Sequence, residues 1–133
     1  MHVHLETQGN TLYDRVGGDA FFTELVERFY EGVQGDPLLR PLYPADLGPP
    51  SEHLALFLIQ YWGGPRTYSE QRGHPRLRMR HVPFPIGQAE RNAWLAHMRA
   101  AVNSSAAAPA DAQALLDYFE SASTSLINRP GFE

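Results

Sequence analysis

The sequence contains no cysteine, and it contains no lysine, so that every residue in its Lys and Arg total is arginine. Without cysteine the chain has no disulfide, no thiol nucleophile and no thiolate ligand for a metal. Without lysine it can form neither a Schiff base nor the phosphate loop of the P-loop NTPases. Any metal chemistry must therefore use histidine, methionine, tyrosine or carboxylates.

Long apolar runs are also absent, and the first ten residues lack the basic and apolar regions of a signal peptide. We therefore expect a cytoplasmic protein without a membrane span. The net charge of −4 argues against nucleic acid as a partner. The 133 residues have the size and composition of one domain. We expect residues 11–129 to form it and residues 1–10 to be a disordered tail.

Sustained alternation of polar and apolar residues, the pattern of a strand, is missing as well, and helical periodicity takes its place. We predict four substantial helices, which begin near Asp19, Ser51, Gln88 and Pro109. A short helix is predicted from Asp36 through Leu42, whereas the prolines of residues 44–50 exclude regular structure. Residues 66–80 hold five arginines and are predicted as a loop with at most one or two helical turns toward its end. The fold class is therefore all-α, with a gap that a cofactor could fill.

His81 stands out among the six histidines. It ends the basic stretch and precedes Val82, Pro83 and Phe84, where the chain changes from polar to apolar. The other histidines are expected at the surface or in the tail: His53, His74, His97, His2 and His4. From its position alone, His81 could be a core residue, a surface residue or a metal ligand.

The surroundings of His81 suit a planar, anionic cofactor such as haem, for which neutral imidazole is the natural axial ligand when thiolate is unavailable. Apolar side chains nearby in sequence could form its walls, namely Phe57, Leu58, Met79, Phe84 and Ile86. Arginines could bind its propionates, namely Arg72, Arg76, Arg78 and Arg80. The alternative for these arginines is a solvated or nucleic-acid-binding face, although Tyr68 is the one aromatic residue among them that could stack on bases.

Tyr30, Tyr43 and Trp94 form a second group of candidates. Each has an apolar body and one hydrogen-bond donor. They could be ordinary core aromatics, or they could converge on one cavity and hold a ligand. In the second case each hydrogen bond to a partly charged ligand would contribute about 1.5–3 kcal/mol.

The run from Gln60 to Phe84, QYWGGPRTYSEQRGHPRLRMRHVPF, closely resembles the signature of the group II (O-type) truncated haemoglobins. The resemblance extends from about Thr11 (TLYDRVGG) to about Asn128 (SLIN). It implies a two-over-two truncated globin sandwich, in which the B and E helices pack against the G and H helices around one haem b.

The resemblance also implies the roles of individual residues. His81 is expected to ligate the iron, while Tyr30, Tyr43 and Trp94 are expected to donate hydrogen bonds to the bound ligand. The expected haem contacts are Leu54, Phe57, Leu58, Tyr68, Arg72, Leu77, Met79, Arg80, Phe84 and Ile86.

One departure from the family pattern concerns the mouth of the distal pocket. Relatives usually have a small residue there, whereas this chain has Pro49 and Pro50 and is one residue shorter around Asp46. A proline offers no donor, so the two tyrosines and the tryptophan would hold the ligand alone. It could also stiffen the entrance.

The resemblance implies binding of oxygen, carbon monoxide and nitric oxide at a five-coordinate iron, with slow release of oxygen. A role in redox chemistry, nitric oxide detoxification or oxygen sensing is then favoured over bulk transport. One alternative is a haem peroxidase or nitric oxide dioxygenase that works with a reductase. Another is a haem-free helical module that docks an acidic partner through its arginines. Self-association is frequent in the family, but no dimer surface is specified by the sequence.

Overall fold

A computed structural model describes residues 11–129, and all regular structure within that range is helical. Its seven α-helices are α1 (Leu12–Val16), α2 (Asp19–Gln34), α3 (Gly48–Tyr61), α4 (Thr67–Arg72), α5 (Leu77–His81), α6 (Gln88–Asn103) and α7 (Pro109–Ser125). A 3₁₀ helix, Arg40–Leu42, lies between α2 and α3. The all-α prediction is confirmed, while the tail predicted for residues 1–10 lies outside the described residues. Within the described range, every helix is too short or too polar to cross a membrane.

The four long helices form two pairs, because α2 packs against α3 and α6 packs against α7. The pairs meet where α2 crosses α6. Each of these contacts buries apolar residues that recur every three or four positions along a helix. The largest fully buried side chains include Phe22, Phe29, Leu58, Leu95, Met98, Leu115 and Phe119. This is the predicted two-over-two arrangement, and burial of its side chains stabilises it by about 1.5–3 kcal/mol for each large residue.

The short helix α1, which the sequence analysis did not predict, is tied to the helices on either side of it. The turn after α1 contains Gly17 and Gly18, whose positive φ angles of 112° and 75° glycine adopts without strain. The hydroxyl of Tyr13 donates to Asp19 Oδ1 at 2.6 Å, in the first turn of α2. This hydrogen bond raises the pKa of Tyr13. Arg15 reaches the buried Asp111 of α7 at 3.0 Å.

Helix α3 begins at Gly48, three residues before the predicted start at Ser51. Pro49 and Pro50 therefore lie in its first turn, and the prediction of no regular structure is wrong for residues 48–50. The first-turn amide groups of a helix have no partner within that helix, so proline is tolerated there. Asp46 Oδ1 accepts a hydrogen bond from the Gly48 amide at 2.9 Å and supports this early start.

Two shorter segments also differ from prediction. The chain after Asp36 forms turns and then the 3₁₀ helix instead of an α-helix, although Asp36 Oδ1 does accept from the Leu38 amide at 2.8 Å. In the arginine-rich stretch, α5 is the helical turn predicted near the end, but α4 was not foreseen. The side-chain nitrogen of Gln60 on α3 donates to the Ser69 hydroxyl of α4 at 2.7 Å, and its side-chain oxygen accepts from the Ser69 backbone amide at 2.9 Å. Contacts with a different helix thus fix α4.

His97 is partly buried, which corrects its predicted surface position. Its Nε2 lies 2.7 Å from Asp36 Oδ2, and hydrogen bonding to His97 is the main cause that lowers the pKa of Asp36. The imidazole passes over Gly32 of α2 so closely that a Cβ there would lie 2.4 Å from His97 Nδ1. A glycine inside a helix is ordinarily unfavourable, but this one lets α6 hold the turn that follows α2.

We predict that Gly32→Ala destabilises the protein by about 1–3 kcal/mol, because the new methyl group collides with the His97 ring and overpacks the contact. Helix propensity alone would predict a gain of about 0.5–1 kcal/mol. Gly35→Ala is the matched control, because a Cβ there meets nothing within 4 Å. Urea unfolding of both variants checks the expectation, and equal stability of the two would contradict it.

Candidate functional site

A cavity of about 420 Å³ lies among helices α2–α7. This volume is within the range of about 300–1,000 Å³ that is usual for small-molecule and cofactor sites. Its lining contains His81, all three predicted hydrogen-bond donors and nine of the ten predicted haem contacts. Tyr30 and Trp94, which are 64 positions apart in the sequence, thus line the same cavity.

Met79 is the predicted contact that the structure does not bring to the cavity. Its side chain is 58% exposed, and it does not belong to the lining. On α5, Leu77, Arg80 and His81 face the cavity, at the spacing of three and four residues that shares one helix face. Met79 lies between them in sequence and therefore points the other way.

The ring of His81 is oriented by a hydrogen bond one turn back along α5. Its Nδ1 lies 2.6 Å from the carbonyl oxygen of Leu77. A carbonyl can only accept, so Nδ1 carries a hydrogen, and in the neutral ring Nε2 is the nitrogen with the lone pair. This is the tautomer that a metal-ligating histidine needs, with the second nitrogen fixed by a backbone carbonyl.

The segment that follows His81 is fastened by Asn128, beyond the end of α7. The side-chain nitrogen of Asn128, Nδ2, donates to the carbonyl oxygens of His81 and Phe84 at 3.2 and 2.9 Å. Its side-chain oxygen accepts from the Ile86 amide at 2.9 Å. The sequence analysis placed Asn128 in the matching SLIN motif but assigned it no role.

The three predicted donors lie close to one another in the cavity lining. The rings of Tyr30 and Tyr43 meet edge to face at 5.5 Å, and Trp94 packs on Phe29 at 5.1 Å. Burial raises the pKa of Tyr43 to about 12, although hydrogen bonding with Trp94 and Tyr30 acts to lower it. Burial also raises the pKa of Tyr30 far above its usual value. Both phenols therefore keep their protons at physiological pH and remain donors.

Only two of the four arginines predicted near a cofactor line the cavity, namely Arg72 and Arg80. The Arg80 guanidinium donates to the carbonyl oxygens of Pro75 and Arg72 at 2.7 and 2.9 Å, which fixes the loop between α4 and α5. Arg72 lies over the Tyr68 ring at 5.8 Å from its centroid. Their positive charges can face anionic groups at the edge of a bound cofactor.

His53 is a lining residue that was predicted to be at the surface. Its Nε2 lies 3.1 Å from Arg72 Nη1, and because arginine can only donate, this nitrogen accepts. Burial and then the charge of Arg72 lower the pKa of His53. A neutral imidazole therefore stands beside the arginine at the cavity edge.

The remaining wall comes mainly from α7 and from the chain before α3. Helix α7 is predicted from the sequence, but none of its residues is predicted as part of a site. These additional lining residues are Leu39, Leu42, Pro44, Pro50, Glu90, Arg91, Tyr118, Phe119, Ala122, Ser123 and Leu126. Pro50 thus lies at the cavity, as expected for the entrance.

The chemistry of this lining fits a haem. It offers one imidazole with a free lone pair, apolar walls on α3 and α7, and two arginines for the propionates. The hydrogen-bond donors Tyr30, Tyr43 and Trp94 also line the cavity.

Comparison with known proteins agrees with this geometry. The family model for the bacterial-like globins matches residues 11–128. The chain is 44% identical to group 2 truncated hemoglobin YjbI of Bacillus subtilis over 94 residues, which cover 71% of this chain and 70% of that protein. It superposes on the thermostable hemoglobin of Thermobifida fusca with a TM-score of 0.87 and 58% identity, covering 89% and 97% of the two chains. The hemoglobin of Chloroflexus aurantiacus gives a TM-score of 0.88 with 55% identity and coverage of 90% and 98%.

We predict that Asn128→Ala speeds the loss of haem on the order of tenfold, because the carbonyls of His81 and Phe84 lose their donor and the segment after α5 loosens. Transfer of haem to excess apomyoglobin measures the rate. Asn103→Ala, at the exposed end of α6, is the control and should leave it unchanged. Equal rates for the two variants would show that Asn128 does not secure the site.

Proposed function

Because this chain belongs to the bacterial-like globin family and is a group II truncated haemoglobin, we propose that it holds one haem b through Nε2 of His81. When ferrous, the haem iron supplies affinity for oxygen, carbon monoxide and nitric oxide. The observation that carries the proposal is the hydrogen bond from His81 Nδ1 to the Leu77 carbonyl. It leaves Nε2 as the free nitrogen of a ring that lines the cavity.

Tyr30, Tyr43 and Trp94 hold the diatomic ligand. Their hydroxyl and indole groups line the cavity and would donate hydrogen bonds to a partly negative diatomic ligand there. The apolar lining supplied by Leu54, Phe57 and others keeps water away, so these hydrogen bonds act at low local dielectric. Slow release of oxygen follows from this arrangement.

Arg72 and Arg80 would hold the haem propionates. Arg72 and Arg80 are the lining residues with permanent positive charge on the side of α4 and α5. Arg80 is held by two backbone carbonyls, which fixes its place before the cofactor arrives. His53 stands beside Arg72 and adds a neutral hydrogen-bonding group.

Pro50 lines the cavity from the first turn of α3, and we assign it to the border of the entrance. Its ring cannot donate to a ligand and cannot move as a longer side chain does. Ligands therefore enter past a stiff, apolar residue, and their retention depends on Tyr30, Tyr43 and Trp94.

Slow release suits redox chemistry, nitric oxide detoxification or sensing better than bulk transport, and we propose a role of this kind in the cytoplasm. A second candidate is turnover of nitric oxide or peroxide in the same cavity with electrons from a reductase. The observation that favours it is that three hydrogen-bond donors line one cavity, because such groups also stabilise charge that develops during these reactions.

We predict that Trp94→Phe raises the oxygen dissociation rate about ten- to a hundredfold, because one hydrogen bond worth about 1.5–3 kcal/mol is lost. Stopped-flow replacement of oxygen by carbon monoxide measures this rate. Trp62→Phe is the matched control, since the Trp62 indole lies outside the lining and its buried N–H has no partner among residues 11–129.

An unchanged oxygen dissociation rate in Trp94→Phe would show that Trp94 does not help to retain the ligand. A wild-type protein that takes up no haemin, seen as no new absorbance band on titration, would contradict the proposed function as a whole.

A further inference from the structure

Helix α5 has a second face, turned away from the cavity. Because Leu77, Arg80 and His81 face inward, the residues between and beside them face solvent. We call these the outer face of α5: Arg76, Arg78, Met79 and Val82. Both arginines are exposed, and Met79 and Val82 are 58% and 64% exposed.

The charge of this face is not neutralised by the rest of the molecule. Among residues 11–129, no carboxylate forms an ion pair with Arg76 or Arg78, whereas Arg15, Arg28 and Arg91 each have one. Residues 66–82 contain five arginines and a single acidic residue, Glu70, in a chain whose net charge is −4. A local cationic surface therefore stands on an otherwise acidic protein.

The apolar residues of this face are notable because of their neighbours. A single exposed hydrophobic residue is normal on a protein surface. Here Met79 and Val82 are three residues apart, on adjacent turns, and Arg76 and Arg78 border them. An apolar centre within a charged rim is the usual make-up of a protein interface.

We propose that the outer face of α5 docks an acidic electron-transfer protein that keeps the haem iron ferrous. This inference rests on the proposed function, because only ferrous haem binds oxygen. A reduced iron–sulfur or flavin centre of the partner would give up one electron, and a ferric haem held by His81 would accept it. No covalent bond would form or break.

The position of α5, next to the proposed iron ligand, favours an electron-transfer protein as the partner. The helix ends at His81, the proposed iron ligand. A helix with its side chains is only about 10–12 Å across, so a protein on the outer face comes within about that distance of the ligand ring. Electron-transfer complexes are small and weak, and opposite charge speeds their formation.

The division of the arginines supports the same assignment. Arg72 and Arg80 line the cavity, and the Arg80 guanidinium also donates to two backbone carbonyls. The side chains of Arg76 and Arg78 have no role within residues 11–129 that would keep them from a partner.

Binding of the haem-loaded, carbon monoxide-bound protein to an acidic plant-type ferredoxin, and separately to a flavodoxin, tests the proposal without relying on activity. Calorimetric titration at about 20 mM and about 200 mM salt gives the affinity and its electrostatic part. We expect Arg76→Glu/Arg78→Glu to weaken binding by about tenfold or more at low salt. We expect the double variant to slow reduction of the ferric protein by the same reduced donor.

The matched control is Arg99→Glu, which reverses an exposed charge on α6 and should change the affinity by less than about twofold. Met79→Ser tests the apolar centre without a change of charge and should also weaken binding. Oxygen dissociation should be unaltered in all of these variants, which separates docking from the function of the cavity.

Several results would overturn the proposal. The proposal fails if the wild-type protein binds neither the ferredoxin nor the flavodoxin. It also fails if the Arg76/Arg78 and Arg99 substitutions weaken binding equally. Loss of binding to phosphatidylserine vesicles in the double variant, with donor binding intact, would replace the protein partner by an anionic membrane. Failure of docking with normal oxygen binding would leave the proposed function standing.

Discussion

The hydrogen bond between His81 Nδ1 and the Leu77 carbonyl fixes which nitrogen of the imidazole is free. The bond exists because α5 places residues 77 and 81 one turn apart. That helix is only five residues long and is too short to persist alone. Its stability comes from the contacts around it, in which Arg80 fastens the preceding loop and Asn128 fastens the following segment.

The cavity imposes a second constraint on the fold. Apolar side chains of α3 and α7 border a space of about 420 Å³ instead of packing on one another. An apolar space of this size lowers stability unless something fills it, because its walls lose dispersion contacts. A haem that binds only the folded chain raises its stability by mass action. Folding and cofactor binding are therefore coupled.

The long helices could be predicted from the sequence because their signal is local. The apolar positions of α2, α6 and α7 recur with helical periodicity, and the proline that begins α7 marks its start. The start of α3 was missed because proline in a first turn is compatible with a helix, whereas the prolines were interpreted as a break. Helix α4 was missed because its support comes from Gln60 on α3.

The candidate site, like the fold, has residues that could be predicted from the sequence and residues that could not. The match to a known signature predicted His81 and the three donors, and the structure places all four at one cavity. Nearness in sequence was misleading for Met79, since α5 turns it outward. His53 and His97 have partners 19 and 61 positions away, Arg72 and Asp36, which periodicity does not reveal. Asn128 acts on a segment more than 40 positions earlier, for the same reason.

Resonance Raman spectroscopy of the ferrous, ligand-free protein tests the central claim most directly, because it detects the stretching vibration between iron and a histidine nitrogen. We predict this band in the wild-type protein and in His74→Gly, a control on the neighbouring exposed loop. We predict loss of the band in His81→Gly and its return when imidazole is added. A band that persists in His81→Gly without imidazole would contradict the assignment of His81 as the iron ligand.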